Sequence, residues 1–159
     1  ENARASVDGA VPLQAIGQLD YLDAAIKETL RVQSVAPHIS RLLVAPKRVG
    51  TLDLPAGVMV LGSIYLTQRR ADLFEEPTRF RPERFQGHRF TPYEYFPFGG
   101  GVRRCIGMTL ATFEMKIVIS QILSRLTLRA APGFTIRPTL RAITLTPSDG
   151  MPVIVDARI

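Results

Sequence analysis

The most reactive side chain in this sequence is a single thiol, and the residues around it favour its anionic form. Cys105 is the only cysteine among the 159 residues and lies in the segment FPFGGGVRRCIGMTL. A free thiol has a pKa of about 8.5, so use as an anionic ligand requires stabilisation. Arg103 and Arg104 place positive charge beside it. Helical periodicity resumes near Cys105, which predicts that the positive end of a helix points at the sulfur.

The glycines of this segment predict that its backbone approaches a flat group closely. Gly99, Gly100 and Gly101 precede the cysteine, and glycine adopts backbone angles that other residues avoid. Gly107 removes a side chain from the first turn of the predicted helix. The alternative interpretation is a buried cysteine that acts as a small apolar side chain after a glycine-rich turn.

The spacing of five residues makes the segment specific. Phe98, Gly101, Arg103, Cys105 and Gly107 satisfy F-x-x-G-x-R-x-C-x-G. This pattern resembles the signature of the cytochrome P-450 family. The resemblance implies that Cys105 is the proximal thiolate ligand of the iron of haem b. It also implies that Arg103 binds a haem propionate through its planar guanidinium, and that Phe98 packs beside the sulfur and shields it from water. Gly99 and Gly107 are then part of the cofactor site.

A second motif lies on a predicted amphipathic helix. Apolar residues recur at steps of three and four in DYLDAAIKETLRV, and Asp20 is the predicted N-cap. Glu28 and Arg31 share one face of this helix and can form an ion pair. Alone, such a pair indicates only a solvated surface contact. The resemblance to the family adds Arg84, from the segment Pro-Glu-Arg-Phe at 82–85, as a third member of a buried network.

The stretch after this helix is predicted to form strands and to line a pocket. By the resemblance, its first residues pass the haem and contact the substrate; they are Val35, Ala36, Pro37, His38 and Ile39. Arg41 is then a second propionate ligand. His38 stays open between a pocket residue, a propionate ligand and a solvent-exposed side chain.

The predicted fold class is α+β, mainly helical with small β-sheets, and corresponds to the C-terminal, proximal part of the cytochrome P-450 fold in one domain. The predicted segments are a lead-in at 1–18, the E-x-x-R helix at 19–34, a small β-sheet at 35–64, a short helix and irregular segment at 65–98, the haem-thiolate loop at 99–107, a buried helix at 105–125 and C-terminal strands at 126–159. The 105–125 helix is apolar around most of its surface, which is typical of a helix buried in a larger protein.

Composition excludes several classes. The net charge is +6, but the arginines are scattered and no recognition motif accompanies them, so nucleic acid is not an expected partner. An acidic redox protein suits this charge better. One cysteine and two histidines are too few for a closed zinc site. No apolar run approaches the length of a membrane span and no signal peptide is recognisable, so a cytoplasmic location is expected unless a preceding segment carries an anchor.

The resemblance implies a monooxygenase reaction on a small apolar organic substrate. The hydrocarbon R–H, O₂, two electrons and two protons give R–OH and water. A ferredoxin or a flavoprotein reductase is the expected electron donor. The family's acid and alcohol pair for oxygen activation, A/G-G-x-D/E-T-T/S, does not occur in this sequence. It is therefore expected in a missing N-terminal part of the same protein, without which the chain is predicted to be inactive.

Two other classes remain open at this point. A haem-binding pseudo-enzyme, or a truncated fragment, would hold the cofactor without turnover. A hydrolase with Cys105 as nucleophile would use His38 or His88 as base, although the sequence shows no third group that would orient the histidine.

Overall fold

The structure is a computed structural model that describes residues 11–159, so most of the predicted lead-in lies outside the described residues. It is a mixture of helices and small sheets. The helices are α1 (Leu13–Ile16), α2 (Asp20–Val32), α3 (Ile64–Thr67) and α4 (Met108–Leu123); the strands are β1 (His38–Leu42), β2 (Lys47–Val49), β3 (Leu52–Leu54), β4 (Met59–Ser63), β5 (Leu126–Ala130), β6 (Pro138–Arg141), β7 (Thr144–Pro147) and β8 (Val153–Arg158). Short 3-10 turns occupy Pro82–Phe85 and Gly101–Arg103.

The strands form four separate antiparallel pairs in this part of the chain. β1 pairs with β4, β2 with β3, β5 with β8 and β6 with β7. The prediction of one small sheet at 35–64 is therefore wrong in one respect, because two ladders form there. Pro46 precedes β2 and has no N–H to donate, which favours a break in the ladder after β1. Gly57, with φ +83°, supports the turn before β4.

Helix α2 buries one face and carries the E-x-x-R motif on it. Ala24, Ile26 and Leu30 are buried together with Glu28 and Arg31. The helix begins at Asp20 with Leu19 in the N-cap position, so the prediction of Asp20 as N-cap is wrong by one residue. Asp20 still stands in the first turn, where a carboxylate interacts favourably with the helix dipole.

The segment predicted as a helix near 65–73 is helical only at Ile64–Thr67. Ser63 caps its start, since its Oγ accepts the backbone N–H of Leu66 at 3.1 Å. The carbonyl of Gln68 accepts a hydrogen bond from the Arg31 guanidinium at 2.7 Å. A carbonyl engaged by a side chain from another element favours the end of the helix at this point.

Three further bounds differ from the prediction. The lead-in is helical at Leu13–Ile16, where Pro12 occupies the N-cap position with its preset φ. The Pro-Glu-Arg-Phe segment is a 3-10 turn with Pro82 in its first position, not irregular structure. Strand β6 was not predicted, because Pro138 and Arg137 interrupt the alternating pattern, and Ala142 at φ +53° belongs to the turn before β7.

Helix α4 begins at Met108, three residues later than the predicted start, and much of its apolar surface is exposed. Leu110 is 61% exposed and Val118 is 54% exposed. Ile117 packs against the buried cluster of Val11, Ile16 and Leu19. Among residues 11–159, α4 contacts α1, α2 and β5 and leaves the rest of its apolar surface exposed, so its burial within a larger protein stays a prediction.

We expect the isolated 159-residue chain to bind an apolar fluorescent dye and to elute as aggregates or an expanded species, because α4 presents a contiguous apolar patch. Size-exclusion chromatography with dye fluorescence measures this, and the full-length protein is the control. A compact monomer that excludes the dye would contradict the prediction.

Candidate functional site

The cysteine segment is a tight loop closed by backbone hydrogen bonds. The N–H of Cys105 donates to the carbonyl of Phe98 at 3.0 Å, and the N–H of Arg104 donates to the carbonyl of Gly101 at 3.1 Å. Gly99 and Gly101 have φ values of +73° and +67°, which L side chains rarely adopt. The loop therefore requires glycine at these two positions to return the chain to Phe98 and present the cysteine.

The relation between Cys105 and the following helix differs from the prediction. α4 begins at Met108, with Gly107 as N-cap. The N–H of Met108 donates to the carbonyl of Cys105 at 3.4 Å, so the cysteine belongs to the approach of the helix and not to its first turn. A Cβ added at Gly107 would lie 3.8 Å from the Cys105 sulfur. Glycine thus leaves the space beside the sulfur open.

The surface around the thiol is apolar, exposed and flanked by cations. Cys105 is exposed, and the neighbouring side chains of Val102 and Ile106 are completely exposed, at 102% and 104%. Arg103 and Arg104 are also exposed. A lone thiol donor, two apolar side chains and guanidinium groups match a flat apolar macrocycle with carboxylate substituents. The residues present therefore fit haem b.

A cavity of about 1090 Å³ lies between α2, α4 and the segment before the cysteine. Phe98, Gly99 and Ile39 line it, whereas Cys105 and Arg103 lie outside its lining. A Cβ at Gly99 would lie 3.6 Å from Cγ2 of Ile39, so this strand residue reaches the cysteine loop.

The other residues predicted for the pocket are not part of this cavity lining; they are Val35, Ala36, Pro37 and His38. Val35 is exposed, and its carbonyl accepts the N–H of Leu145 from β7 at 2.7 Å. His38 is an exposed residue at the start of β1. The exposed guanidinium of Arg41 donates to the adjacent carbonyl of Ser40 at 2.8 Å.

The E-x-x-R residues meet in a buried network. Arg31 donates to both oxygens of Glu28, from Nε at 2.7 Å and from Nη2 at 2.8 Å, and both side chains are fully buried. Arg84 donates from Nε to Oε1 of Glu28 at 3.1 Å, and its side chain is only 8% exposed. The structure thus brings all three predicted residues together around one carboxylate.

Contacts not predicted from the sequence extend this network over the following segment. The backbone N–H of Arg81 donates to Oε1 of Glu28 at 2.8 Å. Nη1 of Arg31 donates to the carbonyls of Gln68 and Pro77 at 2.7 and 2.8 Å. The Arg31 guanidinium also lies 5.0 Å from the ring centre of buried Phe74. Backbone partners of this kind leave no trace in residue type, so no sequence signal identifies them.

The charge state of Glu28 follows from these contacts. Burial alone would raise its pKa, but the hydrogen bonds from Arg31 and the Arg81 N–H, with the charges of Arg31 and Arg84, outweigh burial and lower the pKa below its ordinary value. The carboxylate is therefore ionised in the folded protein at neutral pH.

A nucleophilic pairing of the cysteine finds no support in the geometry. Within residues 11–159, Cys105 is a free, exposed thiol. The ring of His88 packs edge-on against Phe90 with centroids 4.4 Å apart. The described residues also contain no cluster of three acidic, histidine or cysteine side chains that could hold a metal ion by themselves.

Comparison with known proteins agrees with the motifs and the fold. The family profile described as "Cytochrome P450" matches residues 2–153. "Putative cytochrome P450 135B1" of Mycobacterium tuberculosis is 41% identical over 138 residues, which cover 87% of this chain and 29% of that protein. "Cytochrome P450 3A29" of Sus scrofa is 38% identical over 112 residues, which cover 69% of this chain and 22% of that protein.

Solved structures show the same architecture. A retinoic acid-bound cyanobacterial CYP120A1 superposes with a TM-score of 0.88 at 24% identity, over 100% of this chain and 37% of that chain. A cytochrome P450 described as CYP102L1 superposes with a TM-score of 0.78 at 28% identity, over 89% of this chain and 32% of that chain.

The chain belongs to the cytochrome P450 family, and the predicted family and fold class are confirmed. It spans about a third or less of the length of the proteins it matches. The family and its solved members imply haem b as cofactor, as predicted. No helix among residues 11–159 is both long enough and apolar enough to cross a membrane.

We expect Glu28→Gln in the full-length protein to reduce the free energy of unfolding at pH 7 by about 3–5 kcal/mol, since two buried guanidiniums lose their counter-charge. Because the folded pKa of Glu28 is lowered, its stabilisation is complete above the unfolded pKa of about 4.3 and is lost as pH falls through the folded pKa. The difference in the free energy of unfolding between wild type and Glu28→Gln should therefore become smaller at acidic pH. Denaturant unfolding from pH 7 to pH 3 measures both effects.

Glu83→Gln is the matched control, since Glu83 lies beside Arg84 but is exposed, and among residues 11–159 its carboxylate accepts a hydrogen bond only from the exposed Tyr21 hydroxyl, at 3.3 Å. It should unfold like wild type. Equal, small effects of both substitutions would contradict a buried network.

Proposed function

We propose that the full-length protein containing this chain is a haem-dependent monooxygenase that inserts one oxygen atom of O₂ into a small apolar organic substrate. The observation that carries this proposal is the Cys105 loop. Its thiol is exposed, its backbone is closed onto Phe98, and its flanks are the fully exposed Val102 and Ile106. When bound, haem supplies the activation of O₂, and the protein binds, orients and insulates it.

In this proposal Cys105 ligates the iron as thiolate. Arg103 has no ion-pair partner among residues 11–159, so its guanidinium is available for a propionate, and Arg41 is available for the second. Phe98, whose carbonyl holds the Cys105 N–H, would shield the sulfur from water. Gly107 would leave room for the macrocycle beside the sulfur, and Gly99, with its positive φ, would let the loop backbone approach the macrocycle.

Glu28, Arg31 and Arg84 act through folding and haem incorporation, not through chemistry. Their network is fully occupied by internal hydrogen bonds. The network fixes the 68–84 segment against α2. A protein that loses this support would position the cysteine loop less firmly and incorporate less haem.

The proposed substrate contacts lie at 35–39. Ile39 supports this placement because it lines the cavity and reaches the cysteine loop at Gly99. The electron donor is proposed to be a ferredoxin or a flavoprotein reductase, since the net charge of +6 suits an acidic partner. The residues that deliver protons to oxygen are proposed to lie in the rest of the protein. A cytoplasmic location stays a prediction.

We expect Cys105→His in the full-length protein to abolish the red-shifted Soret band of the reduced carbon monoxide complex, because imidazole donates less electron density than a thiolate. Cys105→Ser removes the sulfur with little change in size and should give the same loss. A surviving red-shifted band in either variant would contradict the assignment. A wild-type protein with the band but no product in an oxidation assay would identify a haem-binding protein without turnover.

A paired substitution tests the propionate assignment. Arg103→Gln should accelerate haem transfer to an acceptor globin about tenfold, the effect of losing one charge-assisted hydrogen bond. Arg104→Gln removes the same charge one residue away and should retain haem like wild type. Identical rates for the two variants would show that only overall charge matters.

A further inference from the structure

Helix α2 contacts the cysteine loop region on both sides of Cys105. Upstream, the hydroxyl of Tyr95 donates to the backbone carbonyl of Lys27 at 3.0 Å. Tyr95 stands three residues before Phe98. Downstream, the carboxylate of Asp23 forms an ion pair with Lys116 of α4, eleven residues after Cys105. The segments that precede and follow the loop are thus tied to successive turns of one helix.

The contact upstream of Cys105 is made by the neutral, well-packed hydroxyl of Tyr95. The ring of Tyr95 packs edge-on against Phe85, with centroids 4.8 Å apart. Burial raises the pKa of Tyr95, and the charges of Asp23 and Glu28 raise it further. The hydroxyl is therefore protonated at neutral pH and donates to the Lys27 carbonyl.

The downstream tie shares one carboxylate between two ammonium groups. Oδ2 of Asp23 lies 2.5 Å from Nζ of Lys27, within α2, and Oδ1 contacts Nζ of Lys116. The side chains of Asp23 and Lys116 are only 25% and 18% exposed, whereas Lys27 is 40% exposed. Partial burial strengthens an ion pair relative to a solvated one, so the link to Lys116 is the stronger constraint.

Geometry makes this link consequential for the sulfur. At 1.5 Å per residue, the eight residues from Met108 to Lys116 span about 12 Å of helix. If the link were lost, α4 could pivot about its C-terminal half, and a tilt of about 5° would move its first turn, at least about 12 Å away, by about 1 Å or more. A displacement of this size alters reactive geometry substantially. Cys105 is bonded to that turn through the Met108 N–H.

We propose that the Asp23–Lys116 ion pair and the Tyr95–Lys27 hydrogen bond position Cys105 for ligation of the haem iron. Asp23, Lys116 and Tyr95 are positioning residues, since none of them ligates the metal. This inference rests on the proposed haem-thiolate function.

The test compares two lysines that share one carboxylate. Lys116→Met removes the ion pair between α2 and α4, whereas Lys27→Met removes only an ion pair within α2 and leaves the Lys27 carbonyl in place. In the full-length, haem-loaded protein we expect Lys116→Met to raise the ratio of unshifted to red-shifted carbonyl Soret absorbance about fivefold, the factor for an interaction of about 1 kcal/mol. Lys27→Met should match wild type, and Lys116→Arg should restore the wild-type ratio.

A second pair of variants tests the hydrogen bond from Tyr95 to the Lys27 carbonyl. It also keeps the inference testable if Lys116→Met fails to fold. Tyr95→Phe removes only the hydroxyl, and Tyr93→Phe is its control, because Tyr93 is 87% exposed on the same segment. Only Tyr95→Phe should raise the unshifted fraction. The haem reduction potential is the second readout, and thermal unfolding shows whether stability alone has changed.

The outcomes separate the inference from the function on which it rests. Wild-type ratios and potentials in folded Lys116→Met and Tyr95→Phe would overturn the inference and leave the haem-thiolate function intact. Equal changes in the Soret ratio of Lys27→Met and Lys116→Met would also overturn the inference. The loss of a positive charge, and not the loss of the ion pair between α2 and α4, would then explain the change. Absence of the red-shifted band in wild type would instead overturn the proposed function.

Discussion

The fold around the site depends on one buried carboxylate. Glu28 is fully buried and ionised, which is unfavourable unless donors surround it. Arg31, Arg84 and the Arg81 backbone supply those donors, and Arg31 also engages the carbonyls of Gln68 and Pro77. The 68–84 segment contains little regular structure of its own. Charged side chains therefore form hydrogen bonds with the backbone of this segment, in place of the backbone partners that a β-ladder or a helix would supply.

This dependence explains which elements could be predicted from the sequence. α2 has strong periodicity and the cysteine loop has fixed spacing, so both were predicted close to their observed bounds. α3 was predicted too long, because the tertiary contact between Arg31 and the Gln68 carbonyl competes with continued helix. β6 was missed because its proline interrupts the strand pattern. Local propensity predicts helices and strands whose own sequence pattern determines their bounds. It fails where a side chain from a distant part of the chain determines the residue at which the element ends.

The site shows the same division. Helical spacing predicted the pairing of Glu28 with Arg31, the resemblance to the family added Arg84, and the structure brings the three together. The sequence could not predict that Val102 and Ile106 stand fully exposed beside the thiol, since burial depends on what packs against them. Nor could it pair Asp23 with Lys116. Acidic and basic residues are common on helix surfaces, and only the folded chain shows which ones meet.

The hydrogen bond from the Leu145 N–H to the Val35 carbonyl joins two stretches far apart in the sequence. One is the strand approach at 35–39, and the other is the β6–β7 hairpin. Because a backbone contact does not depend on side-chain identity, both stretches can diversify in sequence while their relative placement is kept. Their relative position is thus constrained through the backbone. If residues 35–39 were transplanted into a relative without the β6–β7 hairpin of this chain, the Val35 carbonyl would lose its hydrogen-bond partner at Leu145.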